Sequence, residues 1–255
     1  MPIVPDLAPF AWVLLALAAM LVGVSKTALP GINTLSIAVF AAVLPARAST
    51  GALLLLLIVG DLFALLSYRR HADWATLIKL IPAVVAGLAI GALFLAVADD
   101  GWVRRVIGVI LLLIIAFTLW QRRRAAANGA GGPTTGRSGR FGRIGYGSLG
   151  GFTTMVANAG GPVMSMYFLA ARFPVRAFLG TAAWFFAIIN LAKVPISVSL
   201  GLISPSTLVL DLLLVPGVIA GAFVGRWIAL RIEQRVFERA VIACTALGAV
   251  YLLVS

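Results

Sequence analysis

Apolar residues along the chain gather in long runs, broken by short stretches of small polar residues, glycine and proline. The runs 49–68, 76–98 and 102–121 each hold roughly 20 apolar residues, the length a helix needs to cross a bilayer. These three are expected to span. Ahead of them stand a borderline run, 9–24, and a short one, 32–44. They are divided by Gly23-Val24-Ser25-Lys26-Thr27-Ala28-Leu29-Pro30-Gly31-Ile32-Asn33. Glycine and proline interrupt helices, so the two runs are expected to form a helical hairpin or one broken helix. The same order returns later as two short runs, 144–157 and 162–171, followed by longer ones at 178–200, 207–229 and 236–254. The second short pair is divided by Gly150-Gly151-Phe152-Thr153-Thr154-Met155-Val156-Ala157-Asn158-Ala159-Gly160-Gly161-Pro162.

Between 122 and 143 the composition turns to Arg, Gly, Ala, Ser and Thr around Pro133. Such a segment cannot bury a core and is expected to be a basic, disordered linker. It divides the chain into a first transmembrane repeat, 1–121, and a second, 144–255. The halves correspond residue by residue. At a shift of 129 (Gly51 to Gly180), Ala28, Gly31, Pro45, Arg47 and Ala48 meet Ala157, Gly160, Pro174, Arg176 and Ala177. Further on the shift is 134 (Pro82 to Pro216), and Val84, Ala86, Gly87, Gly91 and Arg105 meet Val218, Ala220, Gly221, Gly225 and Arg239. Composition alone does not align glycine and proline at a constant shift, so an internal duplication is expected.

Composition agrees with this pattern: 62% of the 255 residues are hydrophobic, 11% are charged, and the mean hydropathy is +1.10. Soluble domains carry about 25% charged residues. The net charge of +12 does not point to nucleic acid, because the arginines lie between apolar runs and collect on the cytoplasmic side of a membrane. Arg69, Arg70, the linker arginines, Arg172, Arg176, Arg226, Arg231, Arg235 and Arg239 can all be cytoplasmic together, leaving Arg47, Arg104 and Arg105 outside. That requires an odd number of crossings per half. The second repeat is therefore expected to be inverted, with the linker cytoplasmic and both termini periplasmic, in a bacterial inner membrane. Six spans with two broken or re-entrant elements, or up to ten crossings, both satisfy the charge bias. In either case the two interrupted stretches enter from opposite faces and meet near the midplane, where inverted-repeat transporters bind substrate. No basic residue precedes the first run, so no cleaved signal peptide is expected. The lone cysteine, Cys244, excludes a disulfide within the chain.

Candidate chemistry concentrates at the interruptions. Irregular backbone at membrane depth must be buried in protein or line a wet cavity, and the N–H groups freed at Gly31, Gly160 and Gly161 favour an anion. Lys26 is costly near the bilayer centre, about 2.5–3.5 kcal/mol, unless a partner or ligand meets it. Snorkelling to an interface is its alternative. Asp61 lies within an apolar run with Asn190 as its repeat mate, and Lys193 shares a helix face with Asn190. Asp61 can pair with Lys26 or Lys193, or carry a coupling proton or sodium ion. Ser25, Thr27, Asn33, Thr153, Thr154 and Asn158 offer hydroxyls and amides, each readable as a cap, an interhelical bond or part of an oxyanion shell. Gly87/Gly91 and Gly221/Gly225 have the spacing of close helix packing. His71, the only histidine, falls in a polar loop, and Lys79 and Asp211 receive no role. No H-E-x-x-H, P-loop, C-x-x-C or G-x-S-x-G motif occurs. No cofactor is called for.

Several of these segments resemble the TauE/SafE sulfite exporter family of bacterial permeases. They are Gly23 through Gly31, Pro45-Ala46-Arg47-Ala48-Ser49-Thr50-Gly51, Asn158-Ala159-Gly160-Gly161-Pro162, Pro174-Val175-Arg176-Ala177-Phe178-Leu179-Gly180-Thr181, and the helices of Pro82 and Pro216. The resemblance implies an all-α polytopic membrane protein that moves sulfite, sulfoacetate or related organosulfonates. Where members often carry a glycine-rich first tip, this chain has Ser25 through Gly31, and Lys26 there strengthens selectivity for anions. The expectation is a secondary transporter working by alternating access, with Ser25, Lys26, Thr27, Gly31, Asn33, Asn158, Gly160 and Gly161 at the substrate and Asp61, Asn190 and Lys193 in coupling or ion pairing. A homo-oligomer is left open. The rival readings are a membrane scaffold or assembly factor, and an intramembrane enzyme.

Overall fold

The computed structural model describes residues 7–127, 140–171, 173–233, 236 and 239. Among them the chain is helical: α1 (Pro9–Thr27), a short 3-10 turn (Pro30–Ile32), α2 (Asn33–Val43), α3 (Ala46–Tyr68), α4 (Trp74–Val97), α5 (Asp100–Ala127), α6 (Arg140–Ala157), α7 (Gly160–Ala170), α8 (Val175–Ser199) and α9 (Pro205–Ala229). Among the described residues, five segments are long and apolar enough to cross a membrane: α1, Ala46–His71, α4, α8 and α9. Their outer faces are bare hydrocarbon, with Leu66, Val97 and Leu212 more than two-thirds exposed, whereas Asp61 and Lys193 are buried. Apolar surface outside and charge inside suit a protein whose solvent is lipid.

Local chemistry sets the helix ends. Pro45 and Pro174 stand immediately before α3 and α8, where a fixed φ and a missing N–H cost nothing. The Asp73 side chain caps α4 by accepting from the Thr76 N–H at 3.1 Å. Ser204 and Thr207 form a reciprocal capping box at the start of α9.

Both interrupted stretches are antiparallel hairpins, which decides between the two forms expected for them. The Ser36 hydroxyl donates to Ala18 O at 2.9 Å, tying α2 back along α1, and Gly150 of α6 lies against Met164 of α7. The returning arms α2 and α7 have 11 residues each, about 16 Å, or half the hydrocarbon thickness. The helices run further into the interruptions than expected. Ser25, Lys26 and Thr27 belong to α1, and the Ser25 and Thr27 hydroxyls are satisfied within it on Val22 O (2.9 Å) and Gly23 O (3.0 Å). The break falls at Ala28–Leu29, where Pro30 disfavours continued helix. In the second hairpin only Asn158 and Ala159 leave the helix. The expected linker is likewise helical at its margins, through Ala127 and from Arg140; its middle, 128–139, and most of the run 236–254 lie outside the described residues.

Glycines set the helix pairing. Gly23 faces the backbone of Val218 and Ala222, and Gly221 and Gly225 face Met20 and Val24, so α1 lies parallel to α9 in near backbone contact. Gly151 faces Val84 and Leu88, and Gly87 and Gly91 face Ser148 and Phe152, so α6 lies parallel to α4 in the same manner. The close-packing role expected of the two G-x-x-x-G pairs is what they perform. These contacts match Gly23 with Gly151, a shift of 151 − 23 = 128, one less than the 129 that holds from Ala28 onward. The second tip therefore contains one residue more. Between the two helix pairs α3 crosses α8 antiparallel: Asp61 meets Asn190, and the Tyr68 end of α3 meets Gly180.

Each end of the bundle is tied. At one end the Arg47 guanidinium donates to Leu95 O and Ala98 O at 2.7 Å and to Leu200 O at 3.1 Å, while Asp100 accepts from the Ala46 and Arg47 N–H groups. At the other, Asp73 N donates to the Thr181 hydroxyl (2.9 Å), Trp184 Nε1 donates to Arg69 O (3.1 Å), and the Trp74 and Trp184 rings lie 5.0 Å apart.

Candidate functional site

The two hairpin tips meet between α3 and α8. Gly161 lies against Pro30 O, and the Asn33 amide donates to Asn158 O at 3.3 Å. A narrow cleft opens there, with about 20 Å³ of room for the centre of a water-sized molecule. It is lined by Ser25, Lys26, Pro30 and Asn33 from the first hairpin, Thr154, Asn158 and Gly161 from the second, Leu57 and Asp61 from α3, and Ala182, Ala183, Phe186 and Asn190 from α8. The first turns of α2 and α7 both present residues to it. Helix N-termini carry partial positive charge and free N–H groups.

Lys26 Nζ lies 2.7 Å from Asp61 Oδ1, with side-chain exposures of 9% and 2%. The ammonium also lies 4.5 Å from the centroid of the Phe186 ring, close enough for a cation–π contact. Of the readings open for Lys26, the buried pair with Asp61 is the one adopted, not an interfacial position. Asn190 Nδ2 donates to Asp61 Oδ2 at 2.7 Å, so the two residues matched across the halves touch one another. Removing either member of such a buried pair would strand the other.

Lys193 does not pair with Asp61. Its ammonium donates to Thr154 O and Asn158 Oδ1, both at 2.6 Å, and the side chain is fully buried. The reason lies in Asn158, whose φ of 53° places it in the left-handed region, which asparagine tolerates better than most residues. Every polar group of this residue is engaged: its N–H with Thr154 O, its Nδ2 with Thr50 O at 2.9 Å, its Oδ1 with Lys193, and its carbonyl with Asn33. Lys193 thus braces the second tip from behind. Two lysines and one aspartate thus stand around the tips, Lys26 against Asp61 and Lys193 apart from it.

The remaining expected residues divide. Ser25, Asn33, Asn158 and Gly161 line the cleft with Lys26, Asp61 and Asn190. Thr27, Gly31, Gly160 and Lys193 are not among its lining residues. The Thr27 hydroxyl bonds Gly23 O and Ala222 O at 3.0 Å, binding α1 to α9. Gly31 O accepts from the Thr34 hydroxyl, and Gly160 packs on the Thr154 side chain. Thr153 back-bonds to Leu149 O. Asp211 sits away from the cleft, buried, with neither carboxylate oxygen partnered among the described residues. Pro30, Leu57, Ala182, Ala183 and Phe186 were not anticipated at the site. Their signal was periodicity: Ala182, Phe186 and Asn190 recur every four residues on one helix face, and Leu57 precedes Asp61 by four.

Residues 15–252 match the family described as sulfite exporter TauE/SafE. The chain belongs to this family. The match takes in both hairpin tips and every residue lining the cleft. No curated protein and no solved structure matches the chain significantly. TauE/SafE membership makes this a multi-pass membrane protein of a family that transports sulfur anions.

Proposed function

We propose that this TauE/SafE protein is a secondary transporter of small oxyanions, with sulfite, sulfoacetate and related organosulfonates as the substrate class, and that the cleft between the hairpin tips is its binding site. The observation that carries the reading is the meeting of a lysine and two helix starts at one cleft. Lys26 lines it beside Asp61, Lys193 stands behind the second tip on Thr154 O and Asn158 Oδ1, and the starts of α2 and α7 add their dipoles. An anion in the cleft meets Lys26 and these dipoles.

Alternating access between two halves is the mechanism proposed. Helix pairs α1/α9 and α4/α6 make equivalent glycine contacts, and the matched helices α3 and α8 run antiparallel, as inversion of one half requires. In this mechanism the substrate displaces part of the hold of Asp61 on Lys26. The carboxylate, released toward the cleft and Asn190, takes up the coupling proton or sodium ion. The inner membrane of a bacterium, with the linker cytoplasmic and both termini periplasmic, is the setting that the arginine distribution supports.

Binding tests this reading directly. Sulfite at about 100 times its dissociation constant should stabilise the purified protein by roughly 2.7 kcal/mol, and Lys26→Ala should abolish the shift. An equal shift in Lys26→Ala would remove Lys26 from the site.

A further inference from the structure

Two residues at this cleft each carry a buried side-chain oxygen with no hydrogen-bond partner among the described residues: Asn33 Oδ1 and Asn190 Oδ1. Both residues line it, at 5% and 1% exposure. Their orientation is not arbitrary. An amide can be turned over when its neighbours are ambiguous, but here each NH2 is set by an acceptor, a carbonyl for Asn33 and for Asn190 the carboxylate of Asp61 in the state paired with Lys26. Asn190 Nδ2 meets a carboxylate oxygen of Asp61 at 2.7 Å, and Asn33 Nδ2 meets the carbonyl of Asn158 at 3.3 Å. Turning either amide would set oxygen against oxygen. The free atoms are therefore acceptors, one from the first tip and one from α8.

A fully deprotonated anion offers only acceptors, so it satisfies the ammonium and N–H groups of the cleft and leaves both amide oxygens unpaired. A buried acceptor left without a donor is costly. We infer that the cleft is built for a monoanion that carries its own hydrogen-bond donor, meaning an acidic proton retained on the headgroup, or a hydroxyl or amino group beside a sulfonate. This rests on the anion-site reading and narrows it: hydrogensulfite and hydroxy- or amino-sulfonates rank above sulfoacetate, which has no donor. The negative oxygens face Lys26 and the helix N-termini, and the donor faces Asn33 and Asn190. Selectivity of this kind is strong, since a site shaped to accept a substrate N–H or O–H rejects an analogue lacking it.

The probes are sulfamate and methanesulfonate, both tetrahedral monoanions of similar size that differ by an NH2 in place of a CH3. Affinities for the full-length protein in detergent are measured by calorimetry or thermal shift at a pH where both are fully ionised. Sulfamate should bind at least about tenfold more tightly, and Asn33→Ala and Asn190→Val should each reduce that preference. Equal affinity in the wild type overturns the inference, as it would if waters satisfied the two oxygens, and leaves the anion site standing. Binding of neither probe overturns both readings. A preference that survives in both variants overturns the assignment to these oxygens. If a variant does not fold, the wild-type ratio still decides.

Discussion

Lys26 and Asp61 are better understood as a pair than as two charges. Truncating one member of a buried ion pair leaves an uncompensated charge, which costs about 3–5 kcal/mol, whereas replacing both with apolar residues is often neutral. Lys26→Met alone should therefore lower the melting temperature of the purified protein, and Lys26→Met/Asp61→Leu should recover most of the loss without recovering anion binding. Recovery of binding by the double variant would contradict the charge argument. Asp211 gives an independent test of the same physics. Both of its oxygens are buried without a partner among the described residues, and an unsatisfied buried polar group costs about 1–3 kcal/mol. Asp211→Leu should raise thermal stability by an amount of that order, read by thermal unfolding; a fall would mean that the carboxylate is held by a group outside those residues.

At the scale of the helices, close approach of backbones holds the bundle together. A Cβ at Gly23 would enter the backbone of Val218, and one at Gly151 the backbone of Val84. Gly23→Ala and Gly151→Ala should each destabilise by about 1–3 kcal/mol or more, as overpacking does. Gly108→Ala, with nothing among the described residues within 4 Å of the added carbon, should be neutral or gain up to about 1 kcal/mol from helix propensity. Thermal unfolding of the three variants side by side checks the contrast, and equal effects would show that the glycine contacts do not set the packing.

Much of this level was legible in the sequence, and the failures have physical causes. Proline and glycine located both hairpins, because breakers are rare within apolar runs. They did not locate the last helical residue, since hydroxyl-bearing Ser25 and Thr27, readable as caps, are instead helical with their hydroxyls bonded to carbonyls of the preceding turn. The repeat register matched Asp61 with Asn190 without saying that the two touch, and it left Lys26 and Lys193 both open as the ionic partner of Asp61. That choice depends on Asn158, whose left-handed backbone draws Lys193 away, and no pattern of residue types reports a backbone angle. Phe186 and Leu57 were hidden for another reason: apolar residues in an apolar helix stand out only by spacing from a polar neighbour.

For the molecule as a whole, the proposed inversion of the second half makes a definite prediction about sidedness. Arg47, Asp100 and Leu200 are bonded together at one end of the bundle, while the Arg69–His71 turn and Gly180 meet at the other. In a Cys244→Ala background, Asp99→Cys and Gly201→Cys should react with an impermeant thiol reagent added from the periplasmic side. His71→Cys and Ser138→Cys should react only from the cytoplasmic side. Labelling of all four from one face would contradict the topology.

The measurement that bears most directly on the central claim is flux of radiolabelled sulfite and sulfoacetate into proteoliposomes, with and without an imposed pH or sodium gradient. Wild type, Lys26→Ala and Asp61→Asn are compared. The account predicts gradient-driven anion flux in the wild type, no flux in Lys26→Ala, and flux without gradient coupling in Asp61→Asn. Wild-type protein that moves neither anion under any gradient, or Lys26→Ala that transports as the wild type does, would contradict it.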